Sequence, residues 1–280
     1  MLMSAQTVLI AQISDLHIKA QGKLSYGKVD TLGALHKAIA TLNQLQPRPD
    51  CVVITGDLVD FGRADEYQTL REALEALDIP WYVMAGNHDD RQQLKAAFAD
   101  HPYLDQHAER VEWQAECGPL RLLALDSSVP GQPHGELVVE SLAWLDQQLQ
   151  LQPHRPTLVM LHHPPFISGI DHMDRQRLIN PQDLAAIIVR HPQVERVLCG
   201  HLHRSMQVRF AGTLACSAPG ASHQVALDLQ PDGPAHFCLE PAGFLLHRWR
   251  EQQGMVTHQC VIDKFPGPWP FYSADGALLD

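Results

Sequence analysis

The chain is 280 residues long, enough for one large hydrophobic core or one core with a small appendage. Its hydrophobic content of 45% and mean hydropathy of -0.16 are ordinary for a soluble globular protein. No apolar run is longer than a strand, so no transmembrane helix is predicted. The net charge of -11 argues against a partner that needs a basic face, whether a nucleic acid backbone or an anionic membrane surface.

Cysteine usage and the N-terminal residues predict a cytoplasmic location. The six cysteines are scattered and form no Cys-x-x-Cys pair, and Cys51 and Cys199 fall in apolar runs, where cysteine acts as a small hydrophobe. Residues 1–4 do not begin the basic-then-apolar pattern of a secretory signal. We therefore expect a reducing compartment.

The first two thirds of the chain alternate between strand and helix patterns. Residues 29–45 carry Val29, Leu32, Leu35, Ile39 and Leu42 at spacings of three and four, which puts them on one face of a helix. Such alternation predicts an α/β fold with a largely parallel sheet. The predicted strands are residues 7–13, 51–55, 81–85, 121–125, 157–161 and 196–199, and the predicted helices are residues 29–45, 65–77, 91–99, 140–150 and 181–190.

The last third of the chain has a different residue pattern, with short predicted strands and no long helix. This predicts an antiparallel continuation of the fold. Residues 265–272 are rich in proline and aromatic side chains and predict an irregular tail that packs on its own chain or on a partner. We divide the chain into a main domain, residues 1–240, and a C-terminal segment, residues 241–280, acting as a cap or oligomer contact. The predicted late strands are residues 206–210, 213–216, 225–229, 244–249 and 255–262.

Polar side chains directly follow five of the predicted strands. Carboxyl ends of parallel strands meet at one edge of a sheet, so these side chains can converge on a single site. One Asp-x-His pair is weak evidence, because a second pair, Asp105 and His107, follows no predicted strand. The five clusters together are far more specific: Asp15 with His17, Asp57, Asn87 with His88, His162 with His163, and His201 with His203.

Asp57 is the expected centre of this site. It follows a buried strand and a glycine, and its two carboxylate oxygens can bridge two cations. The surrounding donors are carboxylate, amide and imidazole groups without thiolate, a set that suits Mn²⁺, Fe, Co²⁺ or Zn²⁺. We therefore expect two divalent metal ions. Ordinary strand-end polar residues would be the alternative, but they would rarely supply such donors at five of the six strand ends.

These motifs, in their order along residues 7–203, resemble those of the calcineurin-like binuclear metallophosphoesterases. The resemblance implies a four-layer αββα sandwich, with two packed mixed sheets flanked by helices. Together with the late strand patterns, the predicted fold is this sandwich with a C-terminal antiparallel extension or cap. The motifs are Asp15-Leu-His17, Gly56-Asp57, Gly86-Asn87-His88-Asp89, His162-His163-Pro164-Pro165 and Gly200-His201-Leu202-His203.

The resemblance also implies a role for each residue. His88 would be catalytic and lie beside the phosphate, or, alternatively, would only orient Asp15. Asp89 and His163 would support the ligands, and two metals would hold a bridging hydroxide that attacks phosphorus. One metal would be held by Asp15, His17, Asp57 and His203, and the second by Asp57, Asn87, His162 and His201.

Two branches of the family are similar to this chain, the class III cyclic-nucleotide phosphodiesterases and the bacterial glycerophosphodiesterases. Residues 133–137 resemble the first branch, whereas residues 22–27, 62–68 and 219–225 resemble the second. In the second branch the histidine matching His223 lies near the substrate phosphate, so His223 is a second catalytic candidate. Asp60 departs from that branch, which has asparagine there. Weaker candidates are Tyr26, Arg63 and Tyr67, the last on an apolar helix face.

The function implied by the resemblance is a metal-dependent phosphodiesterase for small diesters, 3',5'-cyclic AMP, glycerophosphodiesters or both. The acidic net charge argues against a nucleic acid polymer or a membrane as partner, and the resemblance implies a homo-oligomer of two or more chains. Two alternatives stay open: a phosphomonoesterase or nucleotidase on the same core, and a scaffold without catalysis. A scaffold should have lost ligands, and every ligand position is filled in this chain.

Overall fold

Two large β-sheets form the centre of the protein. The structure, a computed structural model, describes residues 6–279, so the N-terminal residues 1–4 considered above lie outside the described residues. The strands are β1 (Thr7–Ile13), β2 (Cys51–Ile54), β3 (Trp81–Val83), β4 (Trp113–Cys117), β5 (Leu120–Ala124), β6 (Thr157–Met160), β7 (Val194–Cys199), β8 (Met206–Phe210), β9 (Thr213–Ser217), β10 (Gln224–Val225), β11 (Phe237–Cys238), β12 (Gly243–Arg250) and β13 (Gly254–Val261). The first sheet has the order β13-β12-β1-β2-β3, the second has the order β4-β5-β6-β7-β9-β8, and β10 pairs with β11.

Six α-helices accompany the sheets in the described part of the chain. The first begins two residues later than predicted because the carboxylate of Asp30 accepts a hydrogen bond from the Gly33 N–H at 2.8 Å and caps the helix. No helix among residues 6–279 is long and apolar enough to cross a membrane. The helices are α1 (Thr31–Gln44), α2 (Ala64–Leu74), α3 (Arg91–Ala97), α4 (Val139–Leu151), α5 (Asp171–Asp174) and α6 (Pro181–Ile188).

The second sheet separates two hydrophobic cores. Alternate residues of a strand point to opposite faces, so neighbours along β5, β6 and β7 belong to different cores. One core contains apolar residues of α1, α2 and both sheets, and the other contains those of α4 and α6. The layers are therefore helices, sheet, sheet and helices, which confirms the predicted four-layer αββα fold. Leu122, Leu158 and Leu198 belong to the first core, whereas Leu123, Val159 and Val197 belong to the second.

The parallel strands bring their carboxyl ends to one side of the molecule. β1, β2 and β3 are parallel neighbours in the first sheet, and β5, β6 and β7 are parallel neighbours in the second. A backbone hydrogen bond from Gly200 to His162, at 3.0 Å, joins the ends of β7 and β6. The ends of β1 and β2 are joined by another, from Asp15 to Gly56, at 3.2 Å. Both sheets thus contribute loops to the same edge.

The C-terminal strands complete the first sheet. β12 pairs antiparallel with β1 and with β13, so the expected antiparallel continuation is present. The strand predicted over residues 225–229 is wrong beyond Val225. After the Ala226 N–H bonds to the His236 carbonyl, the chain turns and Asp228 bonds back to Ala226. β4 and β11 were not predicted; β4 forms a hairpin with β5, its neighbour in sequence, and β11 is only two residues long.

A buried polar network crosses the two sheets beneath this edge. The Gln12 amide nitrogen donates to the Thr55 hydroxyl at 3.1 Å and to the Cys199 carbonyl at 2.9 Å. Its carbonyl oxygen lies 3.0 Å from Nε2 of His247, whose Nδ1 lies 2.9 Å from the Thr257 hydroxyl. Every partner is satisfied, which is the condition for burying polar groups without a large cost. The network ties β1, β2 and β12 to β7 of the other sheet.

His247→Gln should remove a pH-dependent loss of stability. Burial lowers the pKa of His247 to about 3, against about 6.5 in an unfolded chain. As the pH falls below 6.5 the unfolded chain takes up the proton first, so the folded state loses about 2 kcal/mol between pH 8 and pH 5. In urea unfolding of the two metal-free proteins, the free energy of unfolding of the wild type relative to His247→Gln should fall by that amount from pH 8 to pH 5. A difference that stays constant over this pH range would contradict the assignment.

Candidate metal centre

The loops at the sheet edge have unusual backbone conformations. Asp15, His17, Asp57, His201 and His203 all have positive φ angles, between 46° and 67°. Non-glycine residues adopt this left-handed region rarely and at a cost, and such residues cluster at functional sites. The surrounding hydrogen bonds hold these turns, so five of the seven predicted metal ligands are fixed by backbone geometry that the fold imposes.

Asp57 lies between two groups of side chains. Its Oδ2 atom is 3.6 Å from Nε2 of His17, and its Oδ1 atom is 3.4 Å from Nε2 of His162. The side chain is almost completely buried. Although burial opposes ionisation, the positive charge of His162 holds the pKa of Asp57 well below its usual range. The carboxylate therefore presents one oxygen to each group.

The first group contains Asp15, His17 and His203. Nε2 of His203 lies 3.5 Å from Oδ1 of Asp15 and 3.1 Å from Nε2 of His17. The His203 Nδ1–H donates to the His223 carbonyl at 3.2 Å, which leaves the Nε2 lone pair directed at the other two side chains. Burial lowers the pKa of His203 to about 3, so the ring is a neutral donor at pH 7.

The second group contains Asn87, His162 and His201. The His162 Nδ1–H donates to the Thr55 carbonyl at 2.8 Å, and Nε2 lies 3.2 Å from Oδ1 of Asn87. The ring of His201 lies 5.2 Å from that of His162 between centroids. Burial lowers the pKa of His201 to about 3, so it too is a neutral donor. The seven residues predicted as ligands thus lie close to one another around Asp57.

Two buried polar atoms in these groups test whether the residues fit a metal. Oδ2 of Asp15 and Nε2 of His201 are buried and have no hydrogen-bond partner among the described residues. Leaving such atoms unpaired is costly, and native proteins rarely do so without an ion or a ligand. Carboxylate and imidazole atoms are the donors that first-row divalent cations prefer. The residues therefore fit a pair of metal ions.

Asp60 lies behind His17, away from the first group. Its Oδ1 atom is 3.4 Å from Nδ1 of His17, and its Oδ2 atom is 2.9 Å from Nζ of Lys19. Burial opposes its ionisation, but the nearby imidazole of His17 and the ammonium of Lys19 lower the pKa of Asp60 to about 2. A carboxylate in this position orients the imidazole and increases its basicity. The carbonyl of Asp60 also accepts a hydrogen bond from His88 Nδ1 at 2.8 Å.

Three further residues support the ligands. Nδ1 of His163 lies 2.8 Å from the Ser127 hydroxyl and Nε2 lies 3.2 Å from the Pro133 carbonyl, so both ring nitrogens are already engaged. Asp89 accepts hydrogen bonds from the backbone N–H groups of Leu58 and Gly86. Tyr67 is buried and its hydroxyl donates to Asp89 at 2.8 Å.

His88 and His223 border a cavity of about 220 Å³ above the two groups. We call it the metal-site cavity. The His88 side chain is about one third exposed, and the backbone N–H of His88 donates to Oδ1 of Asp57 at 3.0 Å. The ring of His223 packs against those of His203 and Tyr26, with centroids 4.6 and 5.5 Å away. Both catalytic candidates therefore lie at the metal groups, and Tyr26 lies on the wall.

Sequence reasoning missed the outer wall of this cavity. That wall comes from α5 and from the segment before β11, neither of which carries a recognisable motif. Arg63, a weaker candidate, is not on the wall; its guanidinium carbon lies 4.8 Å from the centre of the Phe61 ring. The residues missed are His172, Met173, Gln176, His236 and Phe237.

A scan against protein-family models finds a match to the calcineurin-like phosphoesterase family over residues 8–205. The chain belongs to this family. Curated relatives of this phosphoesterase include the probable glycerophosphodiester phosphodiesterase GpdQ of Arcobacter nitrofigilis, 42% identical over 98% of this chain and 100% of that protein. They also include the 3',5'-cyclic adenosine monophosphate phosphodiesterase CpdA of Escherichia coli K12, 32% identical over 78% of this chain and 77% of that protein.

Solved structures show the same fold as this phosphoesterase at low sequence identity. A dimetal phosphatase from Danio rerio superposes with a TM-score of 0.66 over 92% of this chain and 97% of that chain, at 16% identity. Purple acid phosphatase from yellow lupin superposes with a TM-score of 0.63 over 99% of this chain and 53% of that chain, at 13% identity. The predicted family and fold are both confirmed.

Asp57→Ala should remove metal from both groups at once. Each group loses one oxygen ligand, so metal-free protein dialysed against Mn²⁺ should retain fewer than one ion per chain, where the wild type retains about two. Elemental analysis measures the ratio, and circular dichroism checks the fold. Asp146→Ala, which removes a surface carboxylate paired with His191, is the matched control and should keep the wild-type ratio. Two ions retained by Asp57→Ala would contradict a shared carboxylate.

Proposed function

We propose that this phosphoesterase hydrolyses small phosphodiesters, with glycerophosphodiesters as the preferred class and 3',5'-cyclic AMP as a second substrate. The observation that carries the proposal is the position of the Asp57 carboxylate, with one oxygen 3.6 Å from His17 and the other 3.4 Å from His162. A carboxylate facing two sets of nitrogen and oxygen donors suits two adjacent cations. The family and the names of the relatives support phosphodiester chemistry.

In this proposal each group of ligands holds one cation. When bound, the pair would lower the pKa of water toward about 7 and offset the charge of the phosphate. The ions would be Mn²⁺, Fe, Co²⁺ or Zn²⁺, because thiolate is absent from both groups. Asp15, His17, Asp57 and His203 would hold the first, and Asp57, Asn87, His162 and His201 the second.

His88 and His223 would act on the substrate directly. The bond from His88 Nδ1 to the Asp60 carbonyl fixes the ring and leaves Nε2 free to meet a phosphoryl or leaving-group oxygen. His88 would protonate the leaving alkoxide or stabilise charge on the phosphoryl group. Nδ1 of His223 lies 2.9 Å from the Ser222 hydroxyl, which similarly leaves Nε2 for a phosphate oxygen.

Two observations favour glycerophosphodiesters over cyclic AMP. The Arcobacter relative named for glycerophosphodiesters matches 98% of this chain at 42% identity, whereas the Escherichia coli relative named for cyclic AMP matches 78% of it at 32%. The metal-site cavity, about 220 Å³, is also smaller than the roughly 300–1,000 Å³ typical of pockets for drug-sized ligands. A compact alcohol substituent fits such a cavity better than a purine nucleoside.

Metal-dependent hydrolysis tests the proposal. Metal-stripped protein should be inactive on bis(p-nitrophenyl) phosphate and regain activity with Mn²⁺, Fe²⁺, Co²⁺ or Zn²⁺. His88→Ala should lower kcat by about 10²- to 10⁴-fold, because a positioned acid contributes that much. Glycerophosphoethanolamine should then have a higher kcat/KM than cyclic AMP. No diester hydrolysis with any of these metals, in protein that binds two ions, would refute the function.

Location and assembly complete the proposal. We infer a cytoplasmic protein, supported by six free cysteines of which four are buried. We also infer a homo-oligomer of two or more chains, with residues 241–280 supplying a contact or cap. The support lies after β13, where four large aromatic residues are between 60% and 79% exposed, an unusual concentration for a monomer surface. They are Phe265, Trp269, Phe271 and Tyr272.

Truncation after residue 264 should dissociate the oligomer. Loss of the aromatic tail removes the apolar area that would drive association, so sedimentation velocity should give a monomer of about 30 kDa. The full chain, 31.2 kDa, should sediment as a dimer or larger. Leu151→Ser, which removes an exposed apolar side chain on α4, is the control and should leave the assembly intact. A monomeric full chain would contradict the inference.

A further inference from the structure

A second cavity, of about 350 Å³, lies next to the metal centre. Asn87, which belongs to the second ligand group, lines both this cavity and the metal-site cavity. The remaining wall comes from the start of α3, from the segment before β4 and from the loop after β5. We call it the Arg91 cavity, lined among others by Arg91, Gln92, Glu109, Ser128 and Gly131.

Arg91 is held rigidly in the wall of this cavity. Its Nε donates to Oδ2 of Asp126 at 2.7 Å, and Nη2 donates to Oδ1 of Asp126 and to the Ser128 carbonyl, at 3.1 and 2.6 Å. Asp126 is buried and also accepts a hydrogen bond from the Val111 N–H at 2.9 Å. None of these bonds uses Nη1 of Arg91, so a preorganised donor is left for a ligand.

The charge of the Arg91 cavity disfavours an anionic ligand. The positive charge of Arg91 is already balanced by Asp126, with which it forms a two-bond pair. The other charged residues of the wall are Asp89, Asp90 and Glu109, all acidic. An anionic group would therefore be repelled. A neutral polyol can use Arg91 as donor, Glu109 as acceptor and Gln92 as both.

We propose that the Arg91 cavity binds one alcohol substituent of the phosphodiester, a neutral polyol such as glycerol. This inference rests on the proposed diesterase function. A phosphodiester carries two alcohol substituents on one phosphorus, and Asn87 stands at the border of two cavities. One substituent occupies the metal-site cavity and the other the Arg91 cavity. Arg91, Gln92 and Glu109 are then residues that determine substrate specificity.

Two esters that share a leaving group test this assignment. Glyceryl p-nitrophenyl phosphate and methyl p-nitrophenyl phosphate differ only in the substituent that stays on phosphorus. With the metal-loaded protein, the glyceryl ester should have the higher kcat/KM. The double variant Gln92→Ala with Glu109→Ala should lower the ratio of the two kcat/KM values by about fivefold or more, because hydrogen bonds to the hydroxyl groups are lost.

Arg91→Lys gives a second measurement that keeps a positive charge beside Asp126 but removes the Nη1 donor. It should lower the same ratio, while Gln93→Ala, an exposed neighbour on α3 outside the cavity wall, should keep the wild-type ratio. An unchanged ratio in both cavity variants would overturn the assignment while leaving the diesterase function intact. No hydrolysis of either ester by the wild type would refute the diesterase function and this inference with it.

Discussion

The sharing of one buried carboxylate between two groups of side chains governs the rest of this structure. Asp57 must reach His17 with one oxygen and His162 with the other, which requires the loops of both sheets to meet closely. The backbone at residue 86 therefore passes very close to the Asp57 carboxylate. A Cβ at residue 86 would lie 2.2 Å from Oδ1 of Asp57. Only glycine fits, and the Gly-Asn-His-Asp sequence that carries it follows from this approach.

The buried hydrogen-bond network beneath the sheet edge also stabilises this arrangement. The Gln12 network connects β1 and β2 of one sheet to the end of β7 in the other, directly before the loop that carries His201 and His203. Thr55 connects this network to the metal centre, since its hydroxyl accepts from Gln12 and its backbone carbonyl accepts the hydrogen bond from His162. The ligands come from both sheets, so the metal centre forms only when the sheets pack, and metal binding should stabilise the folded chain.

The sequence predicted the centre of the site well because its signals are local. Each ligand follows its own strand within a few residues, and strand ends of a parallel sheet necessarily meet. Other features depend on distant residues, and the pairing of β12 with β1 is one that was not predicted. The walls of the two cavities come from α5, the segment before β11 and the loop after β5. His172, His236 and Arg91 have no spacing that marks them, so only the folded structure brings them to the site.

Anomalous diffraction from crystals of the Mn²⁺-loaded protein tests the shared carboxylate most directly. The account predicts two anomalous peaks, each about 2.0–2.2 Å from a different oxygen of Asp57. One peak should be coordinated by His17 and His203, and the other by His162 and His201. A single peak, or two peaks of which one does not contact Asp57, would contradict the central claim.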